Sequence, residues 1–340
     1  MRLARALVAG CALASFSCRK APPPPPLVAV HALVELPRMK STQSLSGTAF
    51  DPATRTLYAL ADKTAMIVPL VASADFTAFS VGTPLPLTGR TDSSWDGEGL
   101  VRTADGGFLA ITVETEPLVE RFDAAGKHIG IVVLPPHFAM QASGNKGMES
   151  LALSPNGRYL FTANENALTI DGSPSDKTRG TLVRILKREL SSDGDHDVEF
   201  AYRSEPLGGG GATGDMGVSD LAALDDDRLL VLERGFQPGY GNTVRIFRVD
   251  LRTGAHVEAV PALSDATVVL EKTLLVDIAT LPPGNATHPG PEPSPILDNY
   301  EALSLGPTLP DGRRLLFVTS DDNASLTQLP RVLVLAVSGL

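Results

Sequence analysis

Lys146-Gly147-Met148-Glu149-Ser150-Leu151-Ala152-Leu153-Ser154-Pro155-Asn156-Gly157, followed by Tyr159 to Glu165, decides how the whole chain is read. An acid opens a short apolar alternation, a Pro-Asn-Gly turn reverses the chain, and a second apolar run ends in another acid. Alternation with period two around a tight turn is the signature of a β-hairpin. The same pattern recurs four more times along the chain. Its openings are Leu45 to Phe50, Asp96 to Val101, Val218 to Leu224 and Tyr300 to Leu305, and its turns are Asp51-Pro52, Ala104 to Gly107, Asp225 to Asp227 and Pro310 to Gly312. The second runs, Leu57 to Asp62, Phe108 to Glu114, Leu229 to Glu233 and Leu315 to Asp321, likewise end in acids.

A third apolar segment with a central arginine follows in four copies, at Arg121, Arg184, Arg245 and Arg331, whereas the first copy has Ala65 to Val68 instead. Fourth strands fit Ile129 to Leu134, Val198 to Tyr202 and Val268 to Val276. Taking Ser46, Glu98, Glu149, Asp220 and Glu301 as unit starts, the spacings are 52, 51, 71 and 81 residues. Units of this size with four short antiparallel strands predict an all-β fold, a single β-propeller over residues 27–340. Five repeats are readable. The inserts Gly208 to Gly211 and Pro282 to Pro295 are read as loops, and a sixth blade within one of them stays open. Leu27 to Leu36, an alternating segment ahead of the first repeat, is expected to close the ring as the outer strand of the last blade, which removes an exposed sheet edge.

Composition agrees. Among 340 residues, 31 glycines and 27 prolines punctuate short segments, and 43% hydrophobic against 20% charged residues supplies a core. A net charge of −10 argues against nucleic acid as a partner, since phosphate binding needs a basic face. Arg2 and Arg5 followed by the apolar run Ala6 to Phe16 predict an export signal over residues 1–17. Cys18 follows Ala14-Ser15-Phe16-Ser17, an imperfect lipoprotein box, and is the expected lipidation site; Ala21 to Pro26 then forms a semi-rigid tether over residues 18–26. Simple signal cleavage is the alternative. The expected location is the cell envelope, with the membrane reached through the lipid, or secretion, and the expected state is a monomer. Cys11 and Cys18 are the only cysteines, so no disulfide is expected in the body.

A residue that recurs at one blade position becomes a ring around a propeller axis. Here that residue is a carboxylate: Glu98, Glu149, Asp220 and Glu301 in one expected ring, and Asp62, Glu114, Glu165, Glu233 and Asp321 in another on the same face. Clustered carboxylates need a counter-charge. Calcium suits oxygen ligands from several loops; the alternative is the third-strand arginine paired with the acid of its own blade. The six histidines are scattered and have no partner cysteine, which excludes a zinc site of the usual spacing. Lys146 and Arg234 break the repetition and are candidates to bind an anionic group beside a metal. No Gly-x-Ser-x-Gly motif is present.

At Asp96-Gly97-Glu98-Gly99-Leu100, Asn145 to Pro155, Leu232-Glu233-Arg234-Gly235, Asp298-Asn299-Tyr300-Glu301-Ala302-Leu303 and Ser320-Asp321-Asp322-Asn323, the chain resembles the phytase-like propeller family, labelled for esterase-like activity of phytase. The likeness runs from about Leu45 to Leu335. It departs at Ala302, where glycine is usual, and at Ser46-Gly47, which stands where the other units have an acid. The resemblance implies an exported propeller and, from the label, phosphoester hydrolysis. On this expectation Glu98, Glu149 and Glu301 are catalytic, Lys146 and Arg234 bind a phosphorylated or other small anionic ligand, and Asp62, Glu114, Glu165, Asp220, Glu233 and Asp321 hold calcium. The alternative is a non-catalytic envelope propeller that binds a ligand or protein partner, its acids tied up by arginine.

Overall fold

The computed structural model describes residues 27–91, 94–113, 118–142, 146–190, 196–209 and 213–340. The signal, the tether with Cys18, Asn145 and Glu114 lie outside the described residues. Five antiparallel sheets, each of four strands in simple up-and-down order, form five blades. From the axis outward the first blade runs Leu45–Asp51, Thr56–Ala61, Met66–Ala72 and Phe79–Val81, with Leu85–Pro86 added beside its third strand. The second is Leu100–Arg102, Phe108–Ile111, Leu118–Phe122 and His128–Val133; the third is Ala152–Leu153, Tyr159–Ala163, Leu182–Glu189 and His196–Arg203. The fourth comprises Asp215–Ala223, Arg228–Gln237, Gly241–Asp250 and Lys272–Asp277. Tyr300–Thr308, Arg314–Ser320 and Arg331–Val337 make the fifth, whose outer strand is Val28–Glu35. The expected closure is therefore present, with Val28 opposite Val337 and Glu35 opposite Arg331. The long insert ahead of the fifth blade is a loop, and the described residues form five blades and no sixth.

Alternation places one face of every sheet against the next, and five apolar clusters fill the five gaps. Leu60, Ile67, Phe108 and Phe122 join the first and second blades, for example, and Leu57, Val68, Phe317 and Val334 join the fifth and first. Each innermost strand packs against those of both neighbouring blades, so the ring is continuous around the axis. Two glycines make that approach possible at the second blade. A Cβ on Gly47 would lie 2.2 Å from the Glu98 carbonyl oxygen, and one on Gly99 would lie 2.6 Å from Leu151 Cβ. Substitution at Gly47 would push the first blade off the backbone that carries Glu98, and substitution at Gly99 would push that backbone off the one that carries Glu149.

The third-strand arginines do not neutralise the axial acids. Arg184, fully buried, makes a bidentate pair with Asp171 (2.6 and 2.9 Å) and reaches Glu199 at 3.0 Å. Arg245 pairs with Asp277 at 2.8 Å, Arg331 with Glu35 at 2.9 Å, and Arg121 with Asp105 at 3.1 Å. These partners lie in turns, inserts and outer strands, so the arginines brace the flanks of the blades and leave the axis alone.

Candidate active site

All five innermost strands leave the same mouth of the channel, and the second strands return to it. Near that mouth each hairpin has an irregular pairing in which one residue of the innermost strand bulges. Tyr300 pairs with Ser320 and Ala302 with Thr319, leaving Glu301 between them; Met148 bridges to Asn164, and Glu149 follows it. A bulge re-aims its side chain, and here it brings Glu98, Glu149 and Glu301 to one pocket of about 320 Å3. The ends of the second strands add Asp62, Lys63, Arg234 and Asp321, and Lys146 and Asn299 complete the polar wall.

The fourth blade is out of step with the sequence reading by one residue. Val218 pairs with Glu233 and Asp220 with Leu232. Ser219, not Asp220, thus holds the position of Glu149 and Glu301, and Arg234, not Glu233, holds that of Glu165 and Asp321. Since side chains alternate faces along a strand, a slip of one residue moves both acids elsewhere. Asp220 is buried beneath the pocket, where its carboxylate accepts the backbone N–H groups of Leu303 (2.7 Å), Leu221 (2.8 Å) and Leu151 (3.4 Å). It ties together the inner strands of three blades. Burial raises its pKa well above the usual range, and these three N–H donors oppose the rise. Glu233 points between blades, accepting from Tyr202 Oη (2.5 Å), Lys272 Nζ (2.8 Å) and the Glu205 amide (2.8 Å). Neither acid reaches the pocket.

Glu165 lies behind the pocket wall with its side chain fully buried, 2.7 Å from Lys146 and 3.7 Å from Arg234. Burial raises its pKa, against the pull of Arg234 and Lys146. Lys146 also meets Asp215 at 2.6 Å, and Arg234 Nη2 donates to Glu301 at 2.5 Å. Arg234 in an acid's position therefore gives this ring an internal counter-cation. Burial opposes the charge of both cations, but the surrounding acids outweigh it and raise both pKa values. Asn299 Nδ2 donates to Glu301 at 3.0 Å. Glu149 has no such compensation in full: burial, then Glu165, Glu98 and Glu301, push its carboxyl well above the usual range, against the pull of Arg234. Asp321 is raised in the same way by burial and then by Glu301.

Opposite these cations, Asp62, Asp96 and Glu98 bring one carboxylate oxygen each within 4.8 Å of one another. The adjoining blades are locked here by backbone: Gly97 N–H donates to the Asp62 carbonyl (3.1 Å), and Asp62 N–H to that of Ser44 (2.7 Å). Ser46 Oγ bonds the Gly97 carbonyl, and the indole N–H of Trp95, the chain's one tryptophan, donates to Ala61 (2.9 Å). Lys63 Nζ contacts Asp62 at 2.7 Å and Asp96 at 3.1 Å, from a side chain 67% exposed. The Asp62 carboxyl is pushed up to about 6 by burial, against Lys63. Its Oδ1 is buried without a hydrogen-bond partner among the described residues.

Sequence reasoning thus named Asp62 and Glu98 of this cluster and missed Asp96 and Lys63. Asp96 stands two residues before Glu98, and Lys63 directly follows Asp62. Period two in an extended segment was the available signal for Asp96.

A family model described as "Phytase-like: Esterase-like activity of phytase" matches residues 40–324. Among curated proteins nothing matches. Similar solved structures include an endo-arabinase from Bacteroides thetaiotaomicron (13% identity over 86% of this chain and 94% of that one, TM-score 0.47). A PQQ-bound aldose sugar dehydrogenase from Streptomyces coelicolor is 12% identical over 94% and 100% of the two chains, with a TM-score of 0.43. A periplasmic gluconolactonase from Pseudomonas aeruginosa is 14% identical over 87% and 70%, at 0.35. Likeness at this level carries no argument about chemistry.

Proposed function

The chain belongs to the phytase-like family, and from that premise we propose that its acidic mouth is the active site of a calcium-dependent phosphoesterase. The observation that carries this reading is the arrangement of one pocket, with a carboxylate cluster on one wall and Lys146 and Arg234 on the other. Three oxygen donors of net charge −3 suit a hard divalent cation, and the unpartnered Oδ1 of Asp62 is the kind of buried atom such an ion satisfies. Asp62, Asp96 and Glu98 therefore fit calcium. When bound there, calcium would supply positive charge beside a phosphoryl oxygen and acidify a water.

The chain's own residues do the rest. Lys63, on a largely exposed side chain, pairs with Asp62 and Asp96 in the absence of an ion and would move out toward solvent when one binds. Lys146, held by Glu165 and Asp215, and Arg234, held by Glu301 within the pocket, present fixed positive charge to the substrate anion. Burial and three neighbouring carboxylates disfavour the charge of Glu149 and raise its pKa well above the usual carboxylate range. It is the group placed to donate a proton to the leaving oxygen. Phosphate release from p-nitrophenyl phosphate and from phytate, with calcium and with chelator, tests the reading; release that needs calcium supports it, and none with calcium rules it out.

One observation favours a second reading, a non-catalytic ligand-binding pocket: both cations already hold acids, Arg234 with Glu301 and Lys146 with Glu165 and Asp215. Saturable binding of a phosphorylated ligand without turnover would decide for it. Export and attachment through Cys18 are part of the proposal, tested by mass spectrometry of the mature N-terminus.

A further inference from the structure

The far mouth of the channel differs in kind from the acidic one. A cavity of about 200 Å3 lies there between the inner strands of all five blades. Leu151, Leu221 and Leu303, whose amides hold Asp220, line its inner end, and Leu305, Arg102 and Arg314 are among the residues toward the outside. No carboxylate side chain lines it, in a protein with ten more acids than bases. Among the described residues, the arginines are its only ionisable side chains.

The two arginines differ. Arg102 is engaged: Asp51 lies 3.3 Å away, and its guanidinium stacks 4.8 Å from the Tyr58 ring and 5.3 Å from that of Phe108. Arg314 meets no acid among the described residues, and its one hydrogen bond runs from Nε to the Gly306 carbonyl at 3.3 Å. Partial burial lowers its pKa, with no carboxylate to offset the loss of water. Its outer nitrogens thus remain as donors toward a cavity whose partly exposed apolar lining includes Phe50, Leu153 and Leu305.

We propose that this cavity is a second ligand site, which takes a short aliphatic carboxylate with its head on the Arg314 guanidinium and its chain toward Phe50, Leu153 and Leu305. A guanidinium fork matches a carboxylate in two parallel hydrogen bonds. The partly exposed lining residues Phe50, Leu153 and Leu305 offer a hydrocarbon body contacts that a wholly polar ion such as phosphate cannot use. The space equals about seven waters at ~30 Å3 each, which suits a small organic acid. The site is independent of the activity proposed for the acidic mouth, because Asp220 and the three strands it ties stand between the two.

Butyrate titration by calorimetry in chelator, beside 1-butanol and inorganic phosphate at matched ionic strength, tests the proposal. Butyrate should bind in the millimolar range or tighter, with butanol and phosphate at least ~10-fold weaker, and Arg314→Gln should weaken butyrate at least ~10-fold. Arg314→Lys, which keeps the charge without the fork, should fall between wild type and Gln. Lys146→Met, at the other mouth, should leave butyrate affinity unchanged. Absence of butyrate binding, equal or tighter phosphate binding, an Arg314→Gln variant that binds as wild type, or loss of binding in Lys146→Met would each overturn it. Circular dichroism of each variant separates loss of the ligand from loss of the fold.

Discussion

One set of inner strands makes two unlike mouths. Where these strands begin, bulged glutamates and the acids of the returning strands crowd Glu98, Glu149, Glu301, Asp62 and Asp321 around Lys146 and Arg234. Where they end, Phe50, Leu153 and Leu305 line a cavity with an arginine that meets no acid among the described residues. Between the two, Asp220 accepts amides from three blades. The contrast teaches that a carboxylate's position in a repeat does not set its role. Its pairing register does, because a single residue decides whether it faces the mouth, the channel wall or the gap between blades.

The sharpest way to break the comparison is at Glu149. Glu149→Gln should lower phosphoesterase turnover by roughly 100-fold or more while calcium affinity stays close to wild type; equal activity would remove Glu149 from the chemistry. Next comes the divider. Asp220→Ala orphans three buried N–H groups and should destabilise the domain by about 3 kcal/mol in urea unfolding. Calcium affinity should hold in that variant, and a parallel loss would return Asp220 to the ligand set. Asp62→Asn should reduce calcium affinity at least ~10-fold, measured by calorimetry, and should abolish calcium's effect on melting temperature at low millimolar ion.

The smallest effect is on pH. Asp62 titrates near 6 instead of 3.8, so below that it holds a proton that competes with calcium. Calcium affinity should rise with pH up to about 6 and level off above it. Without calcium the sign reverses for stability: the folded chain holds this proton more tightly than the unfolded one, so its contribution falls as pH rises from about 4 to about 6. Asp62→Asn should remove part of that slope.

The blades were legible because a hairpin announces itself twice, in alternation and in turn residues. The closing strand was legible because Leu27 to Leu36 alternates and the ring needs an edge covered. Register at the fourth blade was not. Val218-Ser219-Asp220 offers an acid one place late, and the bulge that settles the matter is a backbone feature that alternation does not encode. The arginine pairing was misread for another reason: Arg184 finds Asp171 in the loop just ahead of its own strand, and Arg331 finds Glu35 nearly three hundred residues away, a contact set by closure of the ring. Asp96 joins Asp62 through the Gly97 amide between blades, which no pattern within one blade displays.

The central claim is that the acids of this mouth, and not every acid of the repeat, hold a cation. A crystal soaked in calcium or a lanthanide and measured for anomalous scattering tests it most directly. A peak among Asp62, Asp96 and Glu98, with none at Asp220 or Glu233, is the predicted result. A peak at Asp220 or Glu233, or a mouth without a peak at saturating ion, would contradict it.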